Sequence, residues 1–179
     1  MDALTLVRQD HRKLEGLLER LGQATGDEVQ ERAVLIGQLK AALGQHVDQE
    51  EGFLYPIFRE RARRAEVDLA TLDRGVEQHR LIVRLAGEAA GLGPDDALAA
   101  KLRVLTEQVR NHLDTEDSVL LTAIEDLIDD DTLLELGRRM EQRQRVVAAQ
   151  RELAATMTPG NPRTRRLVAA VGGVLAAGA

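Results

Sequence analysis

Cysteine and tryptophan are absent from this chain, and its aromatics amount to two phenylalanines and one tyrosine. Without cysteine there is no disulfide, no thiol nucleophile, no iron–sulfur cluster and no thiolate zinc site. With so few aromatics, leucine and alanine must fill the core, which favours packed helices over sheets. No apolar run is long enough to cross a membrane. The thirteen residues after Arg166 (Leu-Val-Ala-Ala-Val-Gly-Gly-Val-Leu-Ala-Ala-Gly-Ala) fall short of the roughly 20 that a spanning helix needs. A basic excess is missing too: 24 Lys and Arg against 30 Asp and Glu give a net charge of −6, which argues against nucleic acid as a partner. What is present suits a folded domain, with 179 residues, 44% apolar and 30% charged. Charge interrupts the first ten residues too early for a secretory signal, so the expected location is the cytoplasm.

Apolar residues recur at steps of three and four along five segments. The first helix is expected over about Ala3 to Gln23, with Leu4, Val7, His11, Leu14, Leu18 and Leu21 on one face. The second is expected from a cap near Asp27 to about Ala62, burying Leu35, Leu39, Ala42, Leu43, His46, Glu50, Phe53, Leu54 and Ile57. Pro56 lacks a backbone donor, so a kink or break is expected there. The third covers about Asp68 to Ala90, with Leu72, Val76, His79, Ile82, Val83 and Leu85. The fourth starts at Asp95 or Asp96, close after Pro94, and carries Leu98, Leu102, Leu105, Val109, His112, Glu116, Val119, Leu120 and Ile124. A fifth, from about Thr132 to Ala155, has a weaker stripe of Leu133, Leu136, Met140 and Val147. Thr158-Pro-Gly-Asn-Pro162 reads as a linker to the apolar tail. The expected fold is all-α, an up-down four-helix bundle with an additional C-terminal helix. The expected organisation is a bundle over residues 1–128, an accessory helix over 129–157, and a linker and tail over 158–179.

All four histidines fall into one repeated pattern: His11, His46-Val-Asp-Gln-Glu50, His79 and His112-Leu-Asp-Thr-Glu116. An imidazole and a carboxylate four residues apart share one helix face. His46-Val-Asp-Gln-Glu-Glu matches His112-Leu-Asp-Thr-Glu-Asp at an offset of 66, and Asp10-His11-Arg12 sits against Gln78-His79-Arg80 at an offset of 68. A lone histidine on an apolar face is ordinarily a hydrogen-bonded core residue, but two matched pairs plus two histidines in phase favour a metal site. Imidazole nitrogen and carboxylate oxygen suit iron, manganese or zinc. Six ligands exceed what one closed tetrahedral zinc takes, so two metal ions are expected. His11 and His46 would hold one and His79 and His112 the other, with Glu50, Glu116 and an oxo or hydroxo group as bridges.

Asp10-His11, His46-x-x-x-Glu50, Leu54-Tyr55-Pro56, Gln78-His79 and His112-x-x-x-Glu116 together resemble the hemerythrin-like, or HHE, domains. The resemblance covers about residues 1–128. It implies a four-helix bundle with a non-heme di-iron site, and a link to oxygen, nitric oxide, peroxide or iron sensing. The chain departs from the five-histidine oxygen carriers: the residue four after His79 is Val83, and four before it is Gly75. That argues against reversible oxygen carriage. The carriers' His-x-x-x-x-Asp spacing is also met by His112 and Asp117, so Asp117 competes with Glu116. The repeat of the four-residue step favours Glu116. A ferritin-like site needs Glu-x-x-His, but Arg8, Leu43, Val76 and Val109 stand three residues before the histidines.

Around these ligands, Glu51 is expected beside the site or at the surface, Phe53 on the ligand face either lining the site or packing in the core, and Tyr55 pointing elsewhere. The leading functional reading is a di-iron protein that binds or senses a small oxidant or diatomic gas. The alternatives are an enzyme reducing peroxide or nitric oxide, and a helical module that metal only staples together, with the fifth helix as a surface for a protein partner.

Overall fold

The computed structural model describes residues 1–24, 29–93 and 95–157. The expected cap at Asp27, Pro94, and the linker and tail from Thr158 lie outside the described residues. The elements are α1 (Ala3–Gln23), α2 (Val29–Gln49), α3 (Tyr55–Arg64), α4 (Ala70–Ala89), α5 (Asp96–Thr115), α6 (Leu121–Leu127) and α7 (Asp130–Met157). Single π turns, Glu50–Leu54 and Glu116–Leu120, join α2 to α3 and α5 to α6 without a break. Four rods result: α1, α2–α3, α4 and α5–α6. α1 packs on α2, α2 on α4, α4 on α5, and α5 closes the ring on α1.

Aspartates start three of the helices. Asp2 accepts the Thr5 N–H at 2.8 Å, Asp95 the Leu98 N–H at 3.0 Å and Asp129 the Thr132 N–H at 2.8 Å. Each satisfies one of the N–H groups that a helix leaves open at its start. The apolar stripes then bury in two clusters. One gathers Leu14, Leu18, Leu35, Leu39, Leu43, Ile82, Leu105 and Val109 at one end of the bundle. The other gathers Leu4, Val7, Leu54, Phe58, Leu72, Leu120, Leu121 and Ile124, together with Leu133, Leu136 and Met140 of α7. The compact unit thus runs from Met1 to Met140 and takes in the start of α7. Gly137 lets that helix lie against the chain start, since a Cβ there would overlap the Met1 carbonyl. Residues 141–157 form the described part of the second unit, and no side chain among residues 141–156 is buried. Among the described residues, no helix is long and apolar enough to cross a membrane.

The stripes of α1, α2, α4 and α5 follow the expected phase, except that Val83 is 40% exposed. Past Glu50 and Glu116 the phase slips by one residue. Val119 is 50% exposed while Leu120 and Leu121 are buried, and Tyr55 and Phe58 are buried where Phe53 and Ile57 were expected. A π turn bonds each N–H to the carbonyl five residues back, here Tyr55 to Glu50 and Leu121 to Glu116. It inserts one residue into the helical count and rotates everything after it. The kink expected at Pro56 is therefore a π turn that precedes it. Proline is not its cause, because Thr122 stands at the matching place in the second half and the same turn forms there.

Candidate metal centre

Between the two apolar clusters lies a layer of buried polar side chains: His11, His46, Glu50, His79, His112 and Glu116, each at most 2% exposed. Ligand atoms of His46, Glu50, His79, His112 and Glu116 all fall within 4.8 Å of one another. His11 joins at the edge, with Nε2 3.3 Å from Glu116 Oε2 and 3.9 Å from Glu50 Oε1. The fold thus brings together all six residues that the sequence pattern singles out.

The carboxylates sit among the imidazoles in different ways. Glu50 Oε1 lies 3.6 Å from His46 Nδ1 on the His11 side, while its Oε2 lies 3.2 Å from His79 Nε2. Glu116 turns Oε2 toward His11, His46 and His112, at 3.3, 3.7 and 3.2 Å. Its Oε1 accepts a hydrogen bond from the Tyr55 hydroxyl. The ring of Tyr55 stacks on His79 with centroids 5.7 Å apart.

Three imidazoles are held from outside. His11 Nδ1 donates to Asp117 at 3.0 Å, His79 Nδ1 to Glu51 at 2.8 Å and His112 Nδ1 to Gln78 Oε1 at 3.3 Å. Each bond fixes the ring and turns Nε2 inward, as the outer partners of metal-binding histidines do. His46 has no such partner. Asp10, the counterpart of Gln78 in the first half, is instead held by the side-chain amides of Gln45 and Gln49.

The inward atoms satisfy one another only in part: His112 Nε2 lies 3.1 Å from the Nε2 of both His46 and His79. Among the described residues, His11 Nε2, His46 Nδ1, both oxygens of Glu50 and Glu116 Oε2 are buried without a hydrogen-bond partner. Several stand close, but at angles unsuited to hydrogen bonding. One unsatisfied buried polar atom costs about 1–3 kcal/mol, and a whole domain is stable by only about 5–15 kcal/mol. Five nitrogen and oxygen donors aimed at one another are the arrangement a cation would satisfy, and the absence of sulfur suits a hard or borderline metal.

Protonation in the metal-free chain follows from the same geometry. Burial lowers the pKa of His11, but the carboxylates of Asp117, Glu116 and Glu50 outweigh it and push it up to about 11. His79 is likewise buried yet raised by Glu50, Glu116 and Glu51. Burial prevails at His46, held down to about 3, and at His112, held down to about 4. Burial would raise the Glu50 carboxyl, but His11 and His79 hold it below the usual carboxylate range.

The hemerythrin HHE cation-binding domain model matches residues 2–124. The chain belongs to that family. No curated protein matches it. The crystal structure of a hemerythrin HHE cation-binding domain-containing protein from Mycobacterium kansasii superposes with a TM-score of 0.72. The identity is 19%, and the match covers 93% of this chain and 98% of that one. At this identity the likeness shows the fold, an HHE helical bundle with a further C-terminal helix. This protein is therefore a hemerythrin-like cation-binding domain whose His and Glu cluster has the composition for metal.

Two neighbours of the cluster are not where an unbroken α-helical phase puts them. Phe53 does not line the site: it is half-buried, and the Arg139 guanidinium lies 5.6 Å over its ring. Tyr55, expected to point away, faces the site. The π turn explains both, since it gives Tyr55 the phase that position 54 would have in an unbroken α-helix, eight residues from His46. Gly75 leaves it room, because a Cβ there would lie 3.3 Å from the phenol oxygen. Asp117 points outward to His11 and is 46% exposed, whereas Glu116 points inward. Gln78 was legible only as part of the family pattern, not as the holder of His112.

Proposed function

We propose that this domain is a non-heme di-iron protein that binds or senses a small oxidant or diatomic gas: oxygen, nitric oxide or peroxide. The observation that carries the reading is the buried convergence of ligand atoms of His46, Glu50, His79, His112 and Glu116 within 4.8 Å of one another, beside five buried nitrogen and oxygen atoms of His11, His46, Glu50 and Glu116 that lack a hydrogen-bond partner. His11 and His46 hold one iron and His79 and His112 the other. His79 and His112 form the tightest ring pair, with centroids 4.6 Å apart, while His46 lies 5.2, 5.3 and 5.4 Å from His11, His79 and His112. Glu50 would serve both ions, since its Oε1 lies 3.6 Å from His46 Nδ1 and its Oε2 3.2 Å from His79 Nε2. Glu116 presents Oε2 between the two histidine pairs, while Tyr55 fixes its other oxygen. An iron pair bound there supplies one-electron redox steps and open coordination positions. The protein binds and orients it, and the leucines of both clusters exclude bulk water.

One observation favours turnover over simple binding. The Tyr55 hydroxyl is a buried proton-bearing group against Glu116. Burial, Glu50 and Glu116 all push its pKa well above the ordinary tyrosine value, so it keeps its proton and is able to donate a hydrogen bond inside the site. A reductase acting on peroxide or nitric oxide is the second reading.

Stopped-flow mixing of the iron-loaded protein with oxygen, nitric oxide and peroxide separates the two. Binding gives a stoichiometric change in the near-ultraviolet and visible bands, whereas turnover consumes many equivalents. Inert spectra with all three would reject both.

A further inference from the structure

In both halves of the chain the glutamate that points into the cluster is followed directly by a second acid: Glu50-Glu51 and Glu116-Asp117. The two occupy the first positions of each π turn, about 100° apart around the helix. The first therefore faces inward and the second faces the neighbouring rod. In both halves that second acid meets a histidine contributed by the other half. Glu51 accepts the Nδ1–H of His79 on α4 at 2.8 Å, and Asp117 accepts the Nδ1–H of His11 on α1 at 3.0 Å. The partners lie 28 and 106 residues apart in sequence, so the two contacts arise independently and share one geometry. The acids are 38% and 46% exposed, the imidazoles 1% and 3%.

We propose that Glu51 and Asp117 are positioning residues, each locking the metal-binding histidine of the opposite half in the tautomer and orientation that turn Nε2 inward. Each half of the duplicated pattern thus contributes one acid to the cluster and one that secures the other half's ring. Neither half presents its lone histidine correctly without the other. The ring at His46, which lacks an outer acceptor among the described residues, packs among His11, His79 and His112 and has its Nε2 3.1 Å from His112 Nε2. The proposal rests on the metal-site reading above, but the ring-orientation claim is testable without metal.

Both acids are part-exposed, so Glu51→Ala and Asp117→Ala should fold. Glu51→Gln and Asp117→Asn keep an accepting oxygen and serve as conservative rescues. Asp114→Ala, an exposed acid on the preceding turn, is the control. Long-range proton–nitrogen spectra of the imidazoles in the metal-free full chain report the hydrogen-bonded Nδ1–H of each ring, whether or not Nε2 also carries hydrogen. Glu51→Ala should alter His79 and leave His11 alone, and Asp117→Ala should do the reverse. The amide variants and the control should keep the wild-type pattern. Zinc titration, with a diamagnetic probe, should show one binding step weakened about 10–100-fold in each alanine variant. Unchanged imidazoles and affinity in the alanine variants, or one variant disturbing both rings equally, would overturn the proposal. A wild-type chain that takes up no metal would overturn the metal-site reading instead, leaving the spectra to decide the positioning claim.

Discussion

Tyr55 and Gly75 act as a pair at the residue scale. The phenol fits beside Glu116 because the facing helix carries no side chain at position 75. Replacing Tyr55 with Phe keeps the ring stack on His79 and removes only the hydroxyl, leaving a further Glu116 oxygen without a partner. In the metal-free chain the expected loss is about 1–3 kcal/mol of stability, measured by urea unfolding. An equal or higher stability would mean that the phenol–carboxylate bond is not formed. The imidazoles give a second prediction, on pH. The folded pKa values of His11 and His79 are raised, so the stability these rings give the metal-free fold is fully present below their unfolded value. It is lost as pH rises through the folded value, about 11 for His11. At neutral pH the His11 ring holds a proton that metal must displace, and the upward shift at His79 favours a second. Titration of the metal-free chain with zinc at pH 7 should release about one to two protons per chain, read by calorimetry in buffers of different ionisation enthalpy. Apparent affinity should therefore rise from pH 6 to pH 8. Binding without proton release would show that these rings are neutral or not ligands.

At the scale of the element, the π turns decide what the sequence could and could not show. The apolar steps of α1 read through from Leu4 to Leu21 without a miss, because an unbroken α-helix keeps its phase. The same rule fails after Glu50 and after Glu116, where one extra residue enters the turn. It placed Phe53 and Val119 inside and Tyr55 outside for that reason alone. Pattern and composition carry no mark of a π turn, and Pro56 drew attention to the right region for the wrong cause. The six candidate ligands were legible because each lies at or before the slip. Their outer partners were legible only in part, since a contact such as Asp117 with His11 joins residues 106 apart in sequence. The duplicated turn yields a test. Pro56→Ala should leave metal content unchanged and helix content equal or slightly higher, by circular dichroism and metal analysis. Loss of metal on this substitution would show that proline holds the turn open after all.

At the scale of the whole molecule, two leucine-rich clusters enclose a charged layer that the protein alone leaves unsatisfied. The bundle accepts that strain because metal relieves it. A ligand at 100 times its dissociation constant stabilises the folded state by about 2.7 kcal/mol. For a chain of this size, about 2–4 °C of melting temperature follows each kcal/mol. Removing metal with a chelator should thus lower the melting temperature by about 5–10 °C, by calorimetry. Metal-free and loaded forms that melt together would leave the charged layer without a purpose. Counting metal per chain in protein produced with iron tests the di-iron site. A di-iron site gives about two irons per chain, falling sharply in Glu50→Ala. Zero or one ion per chain, or an undiminished pair in Glu50→Ala, would contradict it.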